Sequence, residues 1–297
     1  MKTPTFFIVG APKCGTTALY TWLSEHSQVC MSRPKEPQFF AEDILQHQRN
    51  ITDIENYLRC FKDRVEPREV GEASTCYLAS PSAAARIKAF SSQAKIIVML
   101  RNPVDVMYSL HSERRFSNME QIGDFGAAVD SLAARTWAAG RFRGQPVIRP
   151  SYREIVYFSE QVRRYINLFG RDRVHVVLYD DLIDSAGEVY RGMLGFLGLD
   201  EDRRDGFAVV NNNKRARSLA LHRWAGDPGP TVRKITRVLP TPVRKFIAKT
   251  ADRLNTVEES RPPMNPGLRK RLLKEFEQDI QSLSVLLNRN LSLWFTD

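Results

Sequence analysis

The chain has 297 residues, of which 42% are hydrophobic and 26% charged, and a formal net charge of +10. That composition suits a globular chain long enough for one large core. No apolar run reaches the roughly 18 residues of a transmembrane helix. The apolar run ending at Gly10 is too short for a signal peptide. The five histidines are scattered, and the cysteines Cys14, Cys30, Cys60 and Cys76 form no Cys-x-x-Cys pair. A soluble, cytoplasmic protein without a structural metal is expected.

In chain order, Phe6 to Val9 reads as a strand buried on both faces, as in a parallel sheet. A loop from Gly10 to Gly15 follows, and then Ala18, Leu19, Trp22 and Leu23 recur at helical spacing. Ile96 to Leu100 predicts a second buried strand. Asn102 and Pro103 then offer an N-cap and a first helical residue. Val162, Tyr165, Ile166 and Phe169 mark a helix that Gly170 ends, and Val174 to Tyr179 predicts a third core strand. Leu268, Leu272, Phe276, Ile280, Leu283 and Leu287 give a long helix with one apolar stripe, over about 266–288. Strands alternating with helices predict an α/β fold with a mostly parallel sheet. Gly226 to Pro230 breaks the pattern, and Pro240 and Pro242 interrupt the basic stretch beyond it. Residues 211–264 therefore read as an irregular cap or lid on a single domain spanning 1–297. Residues 214–253 within it carry 11 Lys and Arg against Asp227 and Asp252. Such a surplus suits either an anionic partner or a solvated surface.

The strongest chemical signal is Gly10-Ala11-Pro12-Lys13-Cys14-Gly15-Thr16-Thr17, placed between strand and helix. Backbone N–H groups in such a loop, with the helix N-terminus behind them, make an anion site. Its glycine spacing is that of a nucleotide P-loop, but a Walker A loop has Lys directly after the second glycine. Here Thr16 stands there and Lys13 lies inside the loop. A second cluster, Arg101 to Ser109, follows the second strand. Arg suits phosphate because its planar fork donates two hydrogen bonds at once, and Ser can add another.

Pro12 to Thr17 resembles the 5′-phosphosulfate loop of the sulfotransferases that use 3′-phosphoadenosine-5′-phosphosulfate (PAPS). Arg101 and Ser109 resemble the same family's 3′-phosphate motif. Lys35-Glu36 with Phe39-Phe40 is similar to a segment of its carbohydrate-type and bacterial branch. The resemblance implies a P-loop-like three-layer α/β fold and PAPS as co-substrate, with 3′-phosphoadenosine-5′-phosphate (PAP) as product. It implies nucleotide contacts from Pro12, Lys13, Cys14, Gly15, Thr16, Thr17, Arg101 and Ser109, with Lys214 or Arg217 brought over by the lid. It also implies Lys13 and Glu36 as the catalytic pair: Lys13 offsets charge on the departing phosphate, and Glu36 takes the acceptor's proton. No His lies in Gly71 to Tyr77, where the phenol- and steroid-directed enzymes have their base. Ala73 stands where heparan-type enzymes often have Lys.

The reading is in-line transfer of a sulfuryl group to a hydroxyl or amine, with no metal. The acceptor, whether small molecule, glycan or lipid, is left open. No nucleic acid partner is expected. Val232, Ile235, Val238, Leu239, Phe246 and Ile247, interleaved with basic residues, allow peripheral membrane contact. Two alternatives stand beside it: a P-loop kinase using Mg-ATP, and a non-catalytic basic protein that binds anions or membranes.

Overall fold

The computed structural model describes residues 2–45, 51–62, 66–117, 119–131, 138–142, 145–202, 204, 206–207, 214–216, 250, 256–258 and 261–296. The elements run β1 (Phe6–Ile8), α1 (Thr16–Glu25), β2 (Val29–Met31), α2 (Glu42–Leu45), α3 (Ile54–Leu58), β3 (Glu69–Ala73), α4 (Ala83–Phe90) and β4 (Lys95–Leu100). They continue with α5 (Pro103–Phe116), α6 (Phe125–Asp130), the hairpin β5 (Ala138–Phe142) and β6 (Gln145–Arg149), α7 (Tyr152–Val156) and α8 (Phe158–Phe169). Then come β7 (Val174–Leu178), α9 (Tyr179–Asp184), α10 (Ala186–Leu197), the pair β8 (Lys214–Ala216) and β9 (Thr256–Glu258), α11 (Pro266–Leu287) and a 3₁₀ turn, Ser292–Phe295.

Five parallel strands form the central sheet in the order β2-β3-β1-β4-β7. A parallel sheet is covered on both faces, and every residue of β1 is buried accordingly. The crossover after β1 moves toward the β2 edge, whereas those after β3 and β4 move toward the β7 edge. Right-handed crossovers of opposite direction place their helices on opposite faces. On one face α1 meets α10, with the Trp22 ring 6.1 Å from Tyr190. On the other lie α4, α5 and α8, backed by α11.

The predicted strands and helices are present, with small shifts at their ends. Tyr179 opens α9 instead of ending β7. The buried stripe of α1 is Ala18, Leu19, Trp22 and Leu23 together with Thr16. Asn102 caps α5 by accepting from the Val104 amide at 3.0 Å. β2 and β3 have no counterpart among the predicted strands. β3 holds Glu69, Gly71 and Glu72, and all of it is buried. Gly71 faces Phe6 in register, and a Cβ there would come within 2.0 Å of that ring. The strand therefore needs a residue that sequence patterning counts as a strand breaker. The expected lid at 211–264 falls largely outside the described residues, and Arg217 is among those outside.

Candidate nucleotide and sulfuryl-transfer site

The loops after β1 and β4 leave the sheet in opposite directions, so a crevice opens between them at the carboxyl ends of the strands. Ligands of open α/β sheets bind at such a switch point. The loop after β1 carries Pro12 to Gly15, and Arg101 follows β4 directly.

Lys13 has φ of 64° and Gly15 has φ of 88°. The left-handed region is costly for a residue with a side chain, and such residues cluster at functional sites. Gly15 is the N-cap of α1, and a Cβ there would sit 2.7 Å from Leu182 Cδ2. A side chain there would strain the backbone and require Leu182 to shift. No side chain caps α1, so its first N–H groups face the crevice as an anion site. Thr16 is buried and Thr17 half-buried at that end. The Cys14 side chain turns into the core, where burial pushes its thiol up to about 12 and its Sγ lies 3.4 Å from the Pro12 carbonyl oxygen. What Cys14 offers a ligand is its backbone.

Across the crevice, the Arg101 guanidinium lies 4.4 Å from the centre of the Tyr179 ring and its Nε lies 4.0 Å from Asp105 Oδ2. Arg269 of α11 holds Asp105 from the far side at 2.7 Å. Ser109, two turns into α5, is 4% exposed, and its Oγ accepts from Arg261 Nη2 at 3.1 Å. That bond leaves the Ser109 hydroxyl hydrogen free to be donated elsewhere. Arg261 stacks 5.2 Å from the Tyr108 ring centre. Its pKa is lowered, first by burial and then by the charge of Arg101. Two guanidinium groups near enough to disfavour one another, one of them bonded to the Ser109 hydroxyl, make a cationic cluster that an anion would relieve.

Arg261 is a member of this cluster that the sequence reading did not single out. The family resemblance drew attention to Lys214 and Arg217 instead. Lys214 lies in β8, paired with Glu258 of β9, and only its backbone is described. Arg261 lies inside the expected lid, and Arg261-Pro262-Pro263 just before the cap of α11 was the available signal. Tyr108 pins that segment by donating to the Pro262 carbonyl at 2.9 Å.

Glu36 comes from the segment after β2. It has φ of 62°, and its amide donates to the Ala73 carbonyl at 3.0 Å. Its carboxylate accepts from Lys35 Nζ at 2.8 Å, Gln38 Nε2 at 3.2 Å and Thr75 Oγ1 at 3.4 Å. Behind it, fully buried Glu72 accepts from the Ser74 hydroxyl at 2.6 Å and from Tyr57. Ser74 Oγ in turn accepts from the Gln38 amide at 3.0 Å. Ser74 and Leu78 donate backbone bonds to Ile8 and Val9 at 3.1 and 2.7 Å, so this segment lies against the start of the Lys13 loop. Among the described residues there is no group of three or more His, Cys, Asp or Glu arranged to hold a metal. No helix among them is long and apolar enough to cross a membrane.

A mostly parallel sheet flanked by helices, with basic side chains on the loops that follow β1 and β4 at its switch point, defines an α/β protein whose crevice is suited to an anionic ligand. The family described as "Sulfotransferase domain" has a model that matches residues 3–213, and the chain belongs to that family. A solved sulfotransferase from Alicyclobacillus acidocaldarius matches it with a TM-score of 0.70 and 27% identity over 99% of each chain. Among curated proteins it is 27% identical over 200 residues to the bifunctional heparan sulfate N-deacetylase/N-sulfotransferase 1 of Xenopus laevis, a match covering 66% of this chain and 22% of the relative. It is 30% identical over 147 residues to carbohydrate sulfotransferase 15 of Mus musculus, covering 36% of this chain and 26% of the relative. The matched stretch thus spans about a quarter or less of either curated relative.

Proposed function

We propose that the protein transfers a sulfuryl group from PAPS to a hydroxyl or amine. The observation that carries this reading is the convergence of Arg101, Arg261 and Ser109 on one side of the crevice, facing the uncapped N-terminus of α1 behind Lys13. The donor set fits the co-substrate: planar forks and a hydroxyl suit a terminal 3′-phosphate, and a loop of backbone N–H groups with one ammonium suits a phosphosulfate. Family membership favours sulfuryl transfer over the kinase and the non-catalytic alternatives. Bound PAPS supplies an activated sulfuryl group on a phosphate leaving group.

The residues then divide the work. Arg101, Arg261 and Ser109 hold the 3′ end and fix its register. Backbone groups from Gly15 to Thr17 and the Lys13 ammonium hold the other end. Charge develops on the oxygen that bridges phosphorus and sulfur, and a preorganised cation there lowers the barrier. Glu36, oriented by Lys35, Gln38 and Thr75, accepts the proton that the acceptor loses as its oxygen or nitrogen bonds to sulfur. The curated relatives' names mention heparan sulfate and carbohydrate, which makes a glycan the first acceptor class to screen. Lys214, Arg217 and the rest of 211–264 are proposed as a cover over the nucleotide.

Calorimetric titration with PAP, beside ATP and AMP, tests the donor site. PAP should bind far more tightly than AMP, and Arg101→Ala or Arg261→Ala should each weaken PAP by about tenfold or more, the range for hydrogen bonds to charged groups. With any acceptor that is turned over, Glu36→Gln should lower kcat by roughly 10²-fold or more and leave the Kd for PAP unchanged. A preference for Mg-ATP, or PAP affinity indifferent to both arginines, overturns the assignment.

A further inference from the structure

The partner that the Lys13 ammonium has in the structure comes from the protein itself. Its Nζ lies 3.5 Å from Oε2 of Glu113, with the two side chains 28% and 50% exposed. Glu113 stands one turn beyond Ser109 on α5, on the same helix face. One stripe of α5 therefore carries both the hydroxyl of the 3′-phosphate pocket and the carboxylate that meets the loop cation. The basic residues next to Glu113 are engaged elsewhere. Arg114 donates to the Pro150 carbonyl at 3.0 Å, and Arg115 to the Glu120 and Gln121 carbonyls at 3.0 and 2.7 Å. Lys13 is the cation that Glu113 pairs with among the described residues.

We propose that Glu113 is a displaceable counter-ion that sets the affinity of the site for the 5′-phosphate end of the nucleotide. The inference rests on the reading of Lys13 as the group that holds that end. An arriving phosphate must take the ammonium from Glu113, and it then sits close to a carboxylate of its own sign. Both effects oppose binding. The pair is solvated, so the opposition is modest, and it speeds release of the product that carries the same phosphate. Product release limits turnover in many enzymes. Glu113 is thus a positioning residue that acts on the nucleotide through Lys13.

A double-mutant cycle read by calorimetry tests this. Wild type, Glu113→Gln, Lys13→Met and the double variant are titrated with PAP and with adenosine 3′-phosphate, which has no 5′-phosphate. Glu113→Gln should tighten PAP by about two- to fivefold, the strength of a solvated ion pair. That gain should vanish in the Lys13→Met background, and adenosine 3′-phosphate should bind wild type and Glu113→Gln alike. Equal tightening in both backgrounds would reduce Glu113 to a general field and overturn the proposal, as would no tightening of PAP at all. If Lys13→Met by itself leaves PAP affinity unchanged, the loop assignment fails, and this inference fails with it. Glu113 is half exposed, so the Gln variant retains the fold, which a thermal melt verifies.

Discussion

A single carboxyl, Glu72, links the strand β3 to the candidate base. It is fully buried, accepts from Ser74 and Tyr57, and through Ser74 fixes the backbone of Gln38, whose side chain holds Glu36. Burial pushes its pKa from the ordinary 4.5 up to about 7. The native state therefore holds this proton more tightly than the unfolded chain does. Its contribution to stability is greatest below the ordinary carboxyl range and is lost as pH rises through about 7. The shift corresponds to up to about 3 kcal/mol. Urea midpoints of wild type should fall between about pH 5 and about pH 8, and Glu72→Gln should flatten that slope. A variant that loses stability with pH as steeply as wild type would show that other groups govern it. At this scale the placement of residues was readable where a motif is local. Lys13, Arg101 and Ser109 sit in contiguous motifs, and the crevice brings their elements together. Glu72 and Arg261 were not readable, for a common reason. Their roles are made by partners far along the chain, and Arg261 meets Ser109 across 152 positions.

Among the elements, α8 and α11 depend on each other in a way that periodicity does not reveal. The cap residue of α8, Tyr157, supplies no side-chain bond. Asp279, in the middle of α11, does the capping from outside. It accepts from the Phe158 amide at 2.9 Å, the Ser159 amide at 3.2 Å and the Ser159 hydroxyl at 2.5 Å. Asp279→Ala should cost about 1–2 kcal/mol, as lost caps do, measured as a lower urea midpoint with PAP affinity retained. An unchanged midpoint would mean that water caps α8 equally well. The apolar stripes of both helices were legible, because each is a period of 3.6 against one core. Strand β3 was not, because its carboxylates and glycine are there for specific neighbours. Glu69 takes an ion pair from Lys95 at 2.9 Å and a bond from Thr5, and Gly71 makes room for Phe6.

Seen as a whole, the molecule is divided by the same reversal of strand order that opens its crevice. The backbone stays bonded across β1 and β4 as far as Ala11 to Met99 and Met99 to Gly10, at 2.6 and 2.7 Å, and beyond those bonds the two loops turn toward opposite faces. The β7 side is gathered by other means. Asn102 donates to the Trp294 carbonyl at 2.8 Å, and the Trp294 indole donates to Asp180 at 2.7 Å. A nucleotide gripped by Lys13 on one half and by Arg101 on the other would act as a clasp across a seam. Its affinity would then be mechanical as well as chemical. At a hundredfold excess over Kd, PAP should add about 2.7 kcal/mol, raising Tm by roughly 4 °C for a chain of this size. Hydrogen exchange should slow together at the first turns of α1 and α5, while β2 and α4, away from the seam, stay as they were. Protection confined to one half would mean that the ligand merely perches there. Protection of both would make the nucleotide a second fastener, placed beyond the last backbone bonds between β1 and β4.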